Sequence, residues 1–365
     1  MRAAFTRGFL LAAAYALWAV LPARAADAWG AFDLLGAHVA PGERRELELT
    51  LGETLAGTPL VTRVSVLHGV RAGPSLCLIA GIHGDELNGI ESVRRALDGH
   101  HPATLAGTLI GVPVVNLLAF HNGSRYLPDR RDLNRFFPGH AHASVPHRIA
   151  RRLFDGVIAH CTRVIDFHTG SARRANLAQI RGNYARPEVL AFARLFAPLS
   201  ALHKPRERGT LRNAATAIGI PTVTFEAGAP GSLQEDAIAA GTAAIERVMA
   251  RLDMLAHAPE ADHAEQAFFV RSRWLRAPRG GLLLSDVTTG TWVEAGSEIG
   301  RVVNPLTNAT TVLRTPHSGR VLGRALNQLV LPGLATFNIG ILGDAFHEAR
   351  ASTAGHGGAR PVVAE

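Results

Sequence analysis

Lysine is almost missing from this chain. Of its 38 basic side chains only Lys204 is a lysine, and the arginines form neither runs nor the aromatic-interleaved patches of a nucleic-acid-binding surface. DNA and RNA are therefore not implied as partners. Cysteine is limited to Cys77 and Cys161, which abut apolar runs and read as buried thiols; one disulfide is permitted in an exported protein but not demanded. Long apolar runs are lacking too. The N-terminal run at residues 9–21 holds about 13 residues, short of the ~20 that a spanning helix needs.

That run has a different reading. Arg2 and Arg7 precede it and Ala23-Arg24-Ala25 follows it, the charged, apolar and small-x-small order of a secretory signal peptide, with a retained anchor as the bland alternative. The mature chain is expected to begin near Ala26 and to work in the periplasm or outside the cell, with no membrane span once residues 1–25 are cleaved. Cleavage removes three arginines and no acids, lowering the formal net charge from +8 to +5. Such a field favours small anionic substrates. About 340 remaining residues exceed one core, so two domains are expected.

The chain is organised around Cys77-Leu-Ile-Ala-Gly-Ile-His83-Gly-Asp85-Glu86. Residues 75–80 read as a buried strand, and Ile90, Val93 and Leu97 set a helical period behind the turn. An imidazole and a carboxylate on one turn are two of the three protein ligands that a catalytic zinc needs. The spacing alone is weak: 17 His and 17 Glu in 365 residues supply about one such pair by chance. His257-Ala-Pro-Glu260 is a decoy of this kind, with neither a strand before it nor a helix after it.

Residues 46–71 alternate as antiparallel edge strands, and 108–115 form another buried strand. The polar segment 122–146 then gathers Arg125, Arg130, Arg131, Asp132, Asn134 and Arg135; a loop of this length is functional or disordered. A helix is expected at 149–158, a strand at 163–167 ending in His168-Thr-Gly170, a helix at 187–200, a strand at 220–228 carrying Glu226, and a long helix at 233–255. This alternation predicts an α/β fold with a doubly wound, mostly parallel or mixed sheet over residues 26–256. A polar linker follows at 257–264, then a smaller all-β domain of glycine-punctuated strands at 265–343, and a tail at 344–365 read as disordered.

Three strand ends thus carry chemistry: His83 with Glu86, His168, and Glu226. Two imidazoles and a carboxylate can hold one zinc ion per chain, while a further carboxylate, Glu226, takes the proton from the attacking water. The arginines can grip a substrate carboxylate or a developing oxyanion, and Asp132 can fix the tautomer of a ligand histidine. His140, His142 and His147 read as loop and helix-surface residues. Each candidate alone has a bland reading as a solvated or hydrogen-bonded polar residue; it is their joint occurrence at strand ends that points to a hydrolase.

Four strings, Gly81-Ile-His83-Gly-Asp-Glu86, Asp132-Leu-Asn134-Arg135-Phe-Phe-Pro-Gly139, Asp166-Phe-His168-Thr-Gly170 and Phe225-Glu226-Ala-Gly228, resemble the succinylglutamate desuccinylase/aspartoacylase family of the zinc carboxypeptidase superfamily. The likeness runs in order from about Pro41 to Gly343. It implies an α/β/α zinc hydrolase that cleaves the amide of a small N-acyl amino acid. By position His83, Glu86 and His168 would hold zinc, Glu226 would be the general base, and Asn134 with Arg135 would grip the substrate carboxylate. Asp132 would orient His83, and Arg125, or else Arg131, would polarise the scissile carbonyl. The C-terminal strands resemble the family's lipoyl-like or barrel-sandwich appendage, but they hold no lysine for a prosthetic group, so covering the cleft is the expected role. Open alternatives are a carboxypeptidase or amidase that trims cell-wall peptides, ester cleavage, and a non-catalytic zinc- or ligand-binding module.

Overall fold

The computed structural model describes residues 29–54, 56–255 and 265–343. The expected signal peptide, linker and tail lie outside the described residues. A ribbon of β1 (Phe32–Leu34) and β2 (Ala37–Val39) precedes β3 (Arg44–Glu53), β4 (Pro59–His68), β5 (Arg71–Ile79), α1 (Leu87–Gly99) and β6 (Ala106–Val112). The polar segment carries α2 (Leu117–His121) and a 3-10 turn at Leu133–Arg135, and leads into α3 (Val145–Gly156). Next come β7 (Arg163–His168), β8 (Arg174–Gly182), α4 (Pro187–Arg194), β9 (Ser200–His203), α5 (Leu211–Ala217), β10 (Thr222–Gly228) and α6 (Glu235–Arg251). The C-terminal part is β11 (Phe268–Arg276), β12 (Gly281–Leu284), β13 (Trp292–Val293), β14 (Glu298–Val303), β15 (Thr310–Arg314), β16 (Gly319–Ala325), β17 (Leu329–Val330) and β18 (Ala335–Leu342).

The strand order β3-β4-β6-β5-β7-β10-β8-β9 makes a mixed sheet. Its centre, β6-β5-β7-β10, is parallel, while β3, β4 and β8 run antiparallel to their neighbours toward the centre. Parallel strands are buried on both faces, which is why β5 reads as an unbroken apolar run. Leu76, Leu78 and Ala80 face one core with residues of α1, α4 and α6; Cys77 and Ile79 face the other with residues of α3 and α5. From β5 the chain moves outward to β6, then returns past β5 to lay down β7 and β10. The carboxyl ends of β5 and β7 therefore flank a crevice where the winding reverses, the place where such sheets hold ligands.

One expectation needs correction. The cysteines are not free thiols: Cys77 on β5 is bonded to Cys161, just ahead of β7, with Cα atoms 5.9 Å apart. The pairing follows from register, because Cys77 lies opposite Val164 and Cys161 sits at the turn below it. The C-terminal strands continue the sheet of the first domain. β11 pairs with β9, and β16 pairs with both β18 and β8, so β8-β9-β11-β18-β16 closes on itself within one twelve-stranded sheet. Without β11 and β16, β8 and β9 would end the sheet with unpaired backbone groups. A four-stranded sheet, β15-β14-β12-β17, packs against this ring across a small core that includes Leu283, Val302, Leu313 and Phe337.

Candidate active site

Beyond β5 the chain turns sharply through His83-Gly84-Asp85. Gly84 lies so close to α2 that a Cβ would stand 2.0 Å from the Ala119 carbonyl carbon, so no larger residue fits the turn. Glu86 occupies the cap position of α1, yet its side chain makes no capping bond. It turns instead into the crevice. One oxygen, Oε1, lies 2.8 Å from His83 Nδ1 and the other, Oε2, lies 2.8 Å from His168 Nδ1 at the end of β7. The two Nδ1 atoms are 3.0 Å apart, and all three side chains are buried.

The outer nitrogens explain this arrangement. His83 Nε2 is 2.9 Å from Asp132 Oδ1, and His168 Nε2 is 3.0 Å from Asp166 Oδ2. With its Nε2–H directed at Asp132, a neutral His83 ring presents a lone pair at Nδ1 toward the crevice, while Asp166 stands beside His168 as a charge rather than as a hydrogen-bond acceptor. Three ligand atoms within 4.8 Å of one another could hold a metal ion, and the donor set suits zinc. Arg125 is the cation that faces them here, donating from Nη1 to Glu86 at 2.8 Å and from Nη2 to Asp132 at 3.0 Å. The electrostatics agree. Burial opposes the charged form of each group, but it is outweighed: the carboxylates raise the pKa of both histidines, and the histidines hold Glu86 well below the usual carboxylate range.

Glu226 sits on β10 in register with His168 on β7. Both of its oxygens are held from β8: Arg181 Nη1 donates to Oε1 at 2.8 Å and Asn176 Nδ2 to Oε2 at 2.7 Å. A cavity of about 280 Å³ is lined by Glu226 on one side and by Glu86 and His168 of the cluster. Six cationic side chains line it, Arg125, Arg135, Arg174, Arg181, Lys204 and Arg212, against the acids Glu86, Glu207 and Glu226, so an anionic ligand is favoured. Two of these cations lack an acidic partner among the described residues. Arg174 lies 5.3 Å from the ring of Trp274 and donates to Ser171; the Lys204 ammonium makes no hydrogen bond or ion pair among the described residues. Burial, then like charges nearby, lowers the pKa of both.

Residues 72–252 match the model of the succinylglutamate desuccinylase/aspartoacylase catalytic domain. The chain belongs to this family. It is 31% identical over 126 residues to the N-alpha-acetyl-L-2,4-diaminobutyric acid deacetylase of Halomonas elongata, a match that covers 34% of this chain and only 36% of that relative. Among solved structures it resembles a succinylglutamate desuccinylase/aspartoacylase from Rhodobacter sphaeroides, with a TM-score of 0.74 at 22% identity over 82% of this chain and 96% of that one. The product-bound ectoine utilization protein EutE of Ruegeria pomeroyi gives 0.73 at 22% identity, over 82% and 95%. These likenesses carry the fold; named members of the family are deacylases.

In this family member the turn after β5, the polar segment, β7 and β10 bring His83, Glu86, Arg125, Asp132, Asn134, Arg135, His168 and Glu226 around one crevice. Asn134 is buried there, its Nδ2 3.3 Å from His168 Nε2 and its Oδ1 accepting from Leu211 N, while Arg135 reaches Glu207 at 3.4 Å. Arg131 is not brought in: its guanidinium is bonded to Asp129 and Ser144 and lies over Phe136. His140, His142 and His147 do not line the cavity either. Asn176, Arg181, Arg174 and Arg212 were not singled out by sequence reasoning, nor was Trp274, the one residue of the C-terminal strands in the cavity wall. Asp166 had a signal, standing two positions before His168 on the same face of β7.

Proposed function

We propose that the chain is a zinc-dependent amidohydrolase, with one zinc per chain, that removes the acyl group from a small anionic N-acyl amino acid. The observation that carries this reading is the convergence of His83, Glu86 and His168 across one small, cation-lined cavity from Glu226. His83, Glu86 and His168 would hold the metal, which when bound supplies a Lewis acid for the scissile carbonyl and acidifies a water. Glu226, anchored on both oxygens, takes the proton of the attacking water and returns it to the leaving nitrogen. Arg125 is placed to stabilise charge developing on the carbonyl oxygen. Asp132 keeps the His83 imidazole in the tautomer that offers Nδ1 inward, and Asp166 lends its negative charge to His168. Arg135 and the unpaired Lys204 and Arg174 receive the substrate's carboxylate groups.

The cavity lies near the lower end of the usual volume range for ligand sites and is walled in part by Trp274. That supports a small N-acyl amino acid over a cell-wall peptide. Export is proposed on the N-terminal pattern together with the buried disulfide, which a reducing compartment would not favour. Among the described residues no helix is long and apolar enough to cross a membrane. The test is metal analysis of the purified chain, followed by hydrolysis assays on N-acyl amino acids of acidic, neutral and basic character and on short muropeptides. Zinc near one equivalent with turnover of acidic N-acyl amino acids supports the reading. Full activity after removal of all metal, or activity on muropeptides alone, overturns it.

A further inference from the structure

The carboxylate proposed as the base hangs on a strand that the C-terminal region completes. Asn176 lies on β8 between two glycines, paired with Gly228 on β10 and with Gly323 on β16. Its Nδ2 donates to Glu226 Oε2 at 2.7 Å, and its Oδ1 points the other way, at Gly323. A Cβ at position 323 would stand 2.6 Å from Asn176 Oδ1, whereas the next nearest atoms, Ala175 O and Asn176 Cγ, are 3.4 and 3.7 Å away. Gly323 does not have a positive φ, so alanine there carries no backbone strain. Its single severe clash is with the amide that holds Glu226. Relieving that contact moves Oδ1 by about 0.4–0.8 Å, from 2.6 Å out to the 3.0–3.4 Å of a tolerated contact, and because the amide is planar Nδ2 must turn with it.

We infer that Gly323, on the C-terminal strand β16, is a positioning residue for Glu226: its missing side chain lets the Asn176 amide turn toward the carboxylate. Closing the sheet onto β8 thus does more than complete a hydrogen-bond ladder or cover the cleft, because it fixes the orientation of a group in the chemistry. The inference rests on the reading of Glu226 as the base.

The test is a double-mutant cycle in the full-length, zinc-loaded chain, reading kcat, KM and zinc content for Gly323→Ala, Asn176→Ala and the pair. Misplacing a reacting group by an ångström costs up to about 100-fold, so each single variant is expected to lose about 10- to 100-fold in kcat with KM and zinc little changed. The pair should be no slower than Asn176→Ala, since without the amide the new Cβ meets nothing closer than Ala175 O at 3.4 Å. Wild-type kcat in Gly323→Ala, or losses that multiply in the pair as general damage would, overturns the inference. A crystal structure of Gly323→Ala decides the matter without turnover. An Asn176 amide swung off Glu226, with β8 and β16 in place, supports the role, and an intact bond refutes it. Should the chain hydrolyse no N-acyl amino acid, the proposed function fails while that structure still reports on Gly323.

Discussion

Glu226→Gln is nearly isosteric, yet it should not be innocuous. The carboxylate accepts from Arg181 on one oxygen and from Asn176 on the other, and glutamine offers a single oxygen. Asn176 can turn its amide over and accept from the new NH₂, but Arg181 exchanges a carboxylate for a neutral oxygen and loses its only acidic partner among the described residues. Leaving the half-buried guanidinium without its carboxylate costs roughly 1–3 kcal/mol, a sizeable part of the 5–15 kcal/mol that typically holds a domain folded. Removing a general base costs about 10²- to 10⁴-fold in rate. Glu226→Gln is therefore expected to keep its zinc, lose turnover by that factor and unfold at lower urea. Adding Asn176→Asp reverses the hydrogen-bond polarity: the new carboxylate on β8 accepts from the new amide on β10 and returns a negative charge beside Arg181. The double variant should recover most of the stability and none of the activity, because the carboxylate now stands in the wrong place. Turnover of Glu226→Gln within tenfold of wild type would remove Glu226 as base. A double variant no more stable than the single would refute the account of how β8 holds it.

Zinc binding near neutral pH should release protons. In the metal-free chain the raised pKa of His83 and His168 leaves both rings at least partly protonated there, so the metal must displace those protons and its apparent affinity should climb with pH. Calorimetry in buffers of different ionisation enthalpy checks this, and heats independent of buffer would contradict it. The Cys77–Cys161 bond spans 84 residues, for which the chain-entropy estimate is roughly 4–5 kcal/mol; Cys77→Ala/Cys161→Ala should lose about that much in denaturant titrations while binding zinc once folded. Lys204→Met, which removes an unpaired ammonium from the cavity wall, should raise KM for acidic N-acyl amino acids by about tenfold with little change in kcat. Unchanged KM would place the substrate elsewhere.

The parts of the fold that were legible share a physical cause. β5, β6, β7 and β10 are buried on both faces, so each announces itself as an apolar run, and a polar residue at its end stands out as His83, His168 and Glu226 do. β8 has no such run. Arg174, Asn176, Gln179 and Arg181 interrupt it because several of its side chains serve the cavity or β16, and the strand passes for loop. The helix expected at 187–200 ends at Arg194, since Pro198 cannot continue it and the apolar residues beyond belong to β9. The cysteine bond and the β16–β8 closure join positions far apart in the chain, and local periodicity says nothing about which distant strand supplies a partner. A residue that acts by contact can be guessed from its chemistry. One that acts by leaving room, as inferred for Gly323, looks in sequence like any other turn or strand glycine. It becomes visible only when the backbone of β16 is laid beside Asn176 and the space between them is measured.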